Sequence, residues 1–126
     1  EITAHSGVSS FYRGGLIPYA TDLKIKILGI DPALIAAHST VSIEVAEAMA
    51  QSTKKLFGSD YALATTGIAG PTKGDGEGEV GTVCIAIAGP SSVCAEQFIF
   101  GKARERIIQK SVDKALEMLY KEISKI

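Results

Sequence analysis

The sequence predicts an α/β fold: a three-layer α/β/α sandwich with a mixed sheet, forming one domain over residues 1–126. Three observations carry this. Two segments, 42–58 and 103–123, repeat apolar residues at helical spacing. Three short apolar runs, 61–66, 82–88 and 93–100, are bounded by glycine, proline and serine, as strands are. Helical and strand-like segments also mix along the chain without internal repeats or linkers, which suits helices on both faces of one sheet. A hairpin in the second half makes that sheet mixed rather than purely parallel.

Each element has its own signal. Gly14-Gly15 reads as a turn and Leu16 to Tyr19 as a short strand, which Pro18 confines to an edge or to its own last residues. Thr21 or Asp22 can cap the next helix, with Leu23, Ile25, Ile27 and Leu28 as its apolar face and Gly29 as its end. Asp31-Pro32 pairs a side-chain acceptor with proline at the first helical position, and that helix stops near His38. Ser42 caps a longer helix with Glu44 in its first turn. Its Val45, Ala46, Met49, Ala50, Thr53 and Leu56-Phe57 recur at helical spacing, and Gly58 closes it. Tyr61 to Thr66 is a buried strand. Residues 67–81 hold six glycines (67, 70, 74, 76, 78 and 81), which predicts a loop. Thr82 to Ala88 and Val93 to Phe100 form a hairpin around Gly89-Pro90-Ser91-Ser92. The last helix runs from Ala103 to about Ile123 through Ile107, Ile108, Val112, Ala115, Leu116, Leu119 and Ile123.

Composition narrows the function classes. With 46% hydrophobic and 21% charged residues, the 126-residue chain can bury a single core. Its net charge of −1 and lack of a polybasic run give no electrostatic footprint for nucleic acid. No apolar stretch reaches the roughly 18 residues a membrane span needs, and the first residues do not read as a signal peptide. Cys84 and Cys94 fall in apolar strands, so buried thiols in a reducing cytoplasm are expected rather than a disulfide. Neither cysteine suggests a metal site with His5 or His38, so no metal or cofactor is expected. Glu1 is not an initiator, and the numbering is expected to start inside a longer protein or after residues lost to processing.

Chemistry could reside in three places. Tyr19 and Lys24 flank a strand-to-helix turn. A lysine in the first turn of a helix faces its positive pole and can lose solvent, and both effects favour a neutral amine able to activate a hydroxyl. The alternative is a solvated Lys24 beside Lys26 and a Tyr19 that only packs. Thr66, at a strand end before Gly67-Ile68-Ala69-Gly70, can present a hydroxyl and backbone N–H groups to an oxyanion. A purely structural turn is the competing reading there. It is not a phosphate-binding P-loop, because no Gly-Lys-Ser/Thr follows, and the Thr72 to Glu79 stretch lacks the ligand register of a calcium loop. Arg104, at the start of the last helix, can add a bidentate phosphate contact or stand as an exposed charge. His5, His38, Glu44 and Glu47 offer no ligand spacing or carboxylate pair.

In this order, these pieces resemble the CinA C-terminal family, whose members include the nicotinamide-nucleotide amidohydrolases. The matching stretches are Gly14-Gly15-Leu16-Ile17-Pro18-Tyr19-Ala20-Thr21-Asp22-Leu23-Lys24, Leu28-Gly29-Ile30, Val41-Ser42, and Asp60 to Pro71 with its Thr66-Gly67-Ile68-Ala69-Gly70-Pro71 run. Val80-Gly81-Thr82-Val83 and Phe100 to Arg104 complete them. The resemblance implies hydrolysis of the carboxamide of nicotinamide mononucleotide by a serine nucleophile. It places Lys24 and Tyr19 at the activating positions and Thr66 at the active-site hydroxyl. Gly67, Ile68, Ala69 and Gly70 would form the substrate-facing turn, and Arg104 would meet the phosphate.

The chain departs from the family pattern in three ways. The nucleophile of the family lies in an Ala-Glu-Ser-Cys-Thr-Gly-Gly motif that these 126 residues do not contain. The resemblance therefore implies that a first strand and helix are missing from the chain. Tyr19-Ala20-Thr21-Asp22 stands for the usual Tyr-Ser-Asn-Glu, and Glu79-Val80 for Lys-Pro before Val-Gly-Thr-Val. Ser6, Ser9 and Ser10 are expected to shape a loop rather than replace the nucleophile. The expected partner is a small-molecule nucleotide, with no nucleic acid and no membrane. A sheet edge exposed by the missing strand would favour a homo-oligomer. The competing reading is a non-catalytic module that binds a nucleotide or a partner.

Overall fold

The computed structural model describes residues 2–70 and 79–125. After two short 3-10 turns, Ile2–Ala4 and Val8–Ser10, come helices α1 (Thr21–Lys26), α2 (Pro32–His38) and α3 (Ile43–Phe57). Strands β1 (Ala62–Gly67), β2 (Thr82–Ala88) and β3 (Val93–Ile99) follow, and α4 (Arg104–Ile123) ends the described chain. Pro71 and the Thr72 to Gly78 part of the expected glycine-rich loop fall outside the described residues.

Local chemistry sets most boundaries. The Asp31 carboxylate accepts from the Ala33 N–H at 2.9 Å, with Pro32 at the first helical position of α2. Ser42 accepts from the Val45 N–H at 3.2 Å to open α3, and Gly58 closes it at φ +60. Two expectations near the start are corrected. Helix α1 is capped by Ala20, whose carbonyl takes the Leu23 N–H at 3.1 Å, so Thr21 already lies inside the helix and neither it nor Asp22 is the cap. Residues 16–19 form no strand. Pro18 has no N–H to give a ladder, and the Tyr19 N–H closes a tight turn onto the Ile17 carbonyl at 2.9 Å.

The strands are ordered β1-β2-β3, and both pairings are antiparallel. Among the described residues the sheet is therefore antiparallel rather than mixed. No helix intervenes between β1 and β3, and a parallel return needs a long crossover. The layered architecture is as expected, with α2 and α3 on one face and α4 on the other. Every residue of β2 is buried. Cys84, Ala86 and Ala88 join Ala64 beneath Val45, Ala46, Met49 and Ala50 of α3. Val83, Ile85 and Ile87 pack against Ile107, Ala115 and Met118 of α4. Both thiols are free. Burial pushes Cys84 up to about 11, with Glu44 adding to the effect, and it also raises Cys94.

The end of β1 is strapped to the start of β2. The Ile68 N–H donates to the Thr82 carbonyl at 2.9 Å, and the Gly81 N–H returns to the Ile68 carbonyl at 2.7 Å. The Gly81 carbonyl then accepts from the Phe100 N–H at 2.9 Å. Gly81 sits at φ +96, where an added Cβ would lie 1.9 Å from the Gly101 carbonyl oxygen. Only glycine fits this crossing of three chain segments.

Candidate functional site

A groove of about 1270 Å³ opens beside β1, between the residue 9–24 stretch, Thr40 and Val41 in the link after α2, and Arg104 at the start of α4. Tyr19, Lys24, Thr66, Gly67, Ile68, Ala69, Gly70 and Arg104 all line it. All eight candidate site residues thus line one groove, although they come from three separate stretches of chain.

Their settings differ. Tyr19 is 83% exposed and follows a turn rather than a strand. Lys24 is half-buried and lies in the last turn of the six-residue α1, not the first, because the helix starts at Thr21. Lys24 Nζ reaches back past the helix start and donates to the Pro18 carbonyl at 3.1 Å. Thr66 is only 8% exposed, and its Oγ1 donates to the Thr40 carbonyl at 2.8 Å.

The turn after Thr66 is tightly built. Gly67 belongs to β1, opposite Val83, rather than to the loop. A Cβ on Gly67 would come within 2.9 Å of Val83 Cγ2. Gly70, at φ +77, would place a Cβ 2.6 Å from Val80 Cγ1. Arg104 stands at the first position of α4, as expected, and its Nη1 donates to the Gly70 carbonyl at 2.7 Å. One side of the guanidinium thus braces the turn, and a guanidinium carries five donors. The N–H groups of Ala69 and Gly70 have no acceptor among the described residues, so this wall can offer donors to an anionic oxygen.

Residues that sequence reading did not single out also line the groove. Thr40 supplies the carbonyl that holds Thr66, and the only available signal was the hydroxyl-rich Ser39-Thr40-Val41-Ser42 link between two helices. Arg13 donates from Nε to the Phe57 carbonyl at 2.6 Å, tying the early stretch to the end of α3. Ser9 and Ser10, expected from the sequence to shape a loop, reach the groove wall as part of a 3-10 turn, and Ser10 Oγ donates to the Gly7 carbonyl at 2.9 Å. His38 lies 3.7 Å from Glu44 outside this wall, and among the described residues no group of three or more His, Cys, Asp or Glu could hold a metal ion. No helix among them is long and apolar enough to cross a membrane.

The model of the CinA C-terminal domain matches residues 1–123. The chain belongs to this family. A CinA-like protein of Flavobacterium psychrophilum is 50% identical over 124 residues, covering 98% of this chain and 30% of that protein. The chain thus spans under a third of that relative. The crystal structure of a competence/damage inducible protein from Agrobacterium tumefaciens matches with a TM-score of 0.88 at 32% identity, covering 94% of this chain and 73% of that one. A competence-damaged protein (CinA) superfamily protein from Klebsiella pneumoniae matches with a TM-score of 0.93 at 25% identity, covering 99% and 78%. The CinA domain's helices on both sides of an antiparallel sheet are therefore a shared architecture.

Proposed function

We propose that this CinA domain contributes the groove of an amidohydrolase that converts nicotinamide mononucleotide to nicotinate mononucleotide and ammonia. The observation that carries the reading is the meeting of Tyr19, Lys24, Thr66 and the Arg104-braced turn 67–70 on one groove. Each part suits a need of amide cleavage at a nucleotide. The outer donors of Arg104 suit a phosphate, and the Ala69 and Gly70 N–H groups suit the oxyanion of a tetrahedral intermediate. In this reading Lys24 and Tyr19 relay the proton between the nucleophile and the departing ammonia. The nucleophile itself is a serine outside these 126 residues, in the family's Ala-Glu-Ser-Cys-Thr-Gly-Gly motif.

Ammonia release from nicotinamide mononucleotide by the full-length gene product tests this. Lys24→Ala should lower kcat at least about a hundredfold while binding of the mononucleotide persists. Normal turnover in that variant removes Lys24 from the mechanism. Wild-type binding without ammonia release would instead assign the chain as a nucleotide-binding module.

A further inference from the structure

Among the described residues Ser39 alone, apart from glycines, has a positive φ, at φ 75 and ψ 157. A side chain is held in that region only when its surroundings impose it, and such residues cluster where geometry matters to function. Here the surroundings are explicit. The Ser39 N–H donates to the Ile35 carbonyl at 2.8 Å, and Ser39 Oγ accepts from the Val41 N–H at 3.4 Å. Ser42 Oγ donates to the Ser39 carbonyl at 2.8 Å. Clamped this way, the link brings the next carbonyl, that of Thr40, onto β1, where it accepts the Thr66 hydroxyl. Thr40 and Thr66 are 7% and 8% exposed, and both line the groove.

The consequence is a matter of protons. A threonine hydroxyl has one proton to give and two lone pairs to receive. With its proton committed to Thr40, Thr66 Oγ1 can offer the groove only an acceptor.

We propose that the Ser39–Thr40 turn is a positioning element that locks Thr66 as an acceptor, and that Thr66 thereby selects a carboxamide over a carboxylate. This rests on the amidohydrolase reading above and specifies how that groove tells its substrate from its product. A carboxamide presents two N–H donors to Oγ1. The carboxylate left after hydrolysis has the same shape but no donor, so its lone pairs meet those of Thr66. The amide is held and the acid is released.

Calorimetric titration of the full chain with nicotinamide mononucleotide and nicotinate mononucleotide tests the proposal. Wild type should favour the amide by at least about tenfold. Thr66→Val keeps the shape and deletes the lone pairs, and should bring the two affinities to within about twofold of each other. Thr66→Ser keeps the hydroxyl and should keep the preference, which a merely structural role for Thr66 would not require. An undiminished amide preference in Thr66→Val overturns the proposal and leaves the amidohydrolase reading standing. Failure of wild type to bind either mononucleotide overturns that reading and the proposal with it. Should Thr66→Val not fold, the methyl-ketone analogue of the mononucleotide, equal in size but without N–H donors, serves with wild type. Binding about tenfold weaker than the amide supports the proposal, and equal binding overturns it.

Discussion

Replacing Gly81 by alanine tests the three-segment crossing most directly. The new Cβ would sit 1.9 Å from the Gly101 carbonyl oxygen, more than an ångström inside the roughly 3.3 Å at which carbon and carbonyl oxygen meet. The clash is with backbone, so no side-chain rotation relieves it. Alanine at φ +96 also costs about 1–2 kcal/mol on conformational grounds. If the 100–101 segment withdraws, the Phe100 N–H to Gly81 carbonyl bond is lost, adding about 1–3 kcal/mol for a group left unpaired. The sum, about 2–5 kcal/mol, is a large share of the roughly 5–15 kcal/mol that holds a domain folded. Gly101→Ala is the control. Gly101 has a similar φ of +88, but an added Cβ there meets nothing within 4 Å, so only about 1–2 kcal/mol is expected. Urea unfolding followed by far-ultraviolet circular dichroism reads both variants. Equal losses in the two would refute the steric account of the crossing.

Two further outcomes follow from the same structure. Ser42→Ala removes both the Val45 N–H acceptor and the donor to the Ser39 carbonyl, and should cost about 1–2 kcal/mol in urea unfolding, whereas Ser42→Thr should lose less. Cys84 titrates near 9.0 when unfolded and about 11 when folded. Its contribution to stability is therefore fully present below pH 9 and lost as pH rises from 9 towards 11, because the unfolded chain gives up the proton first. Melting temperatures should fall across that window less steeply in Cys84→Ala than in wild type. An identical alkaline slope would remove Cys84 as the cause.

What could be read from the sequence was what local chemistry determines. Asp31-Pro32, Ser42 and Gly58 announce helix ends because their partners lie within three or four residues. The periodicity of α3 and α4 likewise marks part of the faces that pack on the sheet, through Val45, Ala46, Met49, Ala50, Ile107 and Ala115. Leu56, Ile108 and Ile123 of those sets are exposed, however, and Met118, outside them, is buried. Residues 16–19 misled because apolar neighbours imitate a strand, while pairing depends on an edge supplied elsewhere and on an N–H that Pro18 lacks. The placement of Lys24 in the first turn failed by a shift in helix boundary, although its amine still folds back to the residues before the helix. The candidate site residues could be singled out one by one, but their links could not. The bonds from Thr66 to Thr40 and from Arg104 to Gly70 span 26 and 34 residues, and no spacing rule announces a backbone carbonyl as a partner.

The two faces of β2 differ in size as well as in partner. Cysteine and two alanines face α3, while a valine and two isoleucines face α4. Were β2 to slip by one residue against its neighbours, these sets would change sides. Branched side chains would be forced under a helix seated for alanines, and alanines would leave voids beneath one seated for isoleucines. Both errors are destabilising, so volume as well as pattern guards the alignment. That alignment sets Thr66 opposite Cys84 and Gly67 opposite Val83. The position of the groove wall is thus secured by the bulk of residues that never touch the groove.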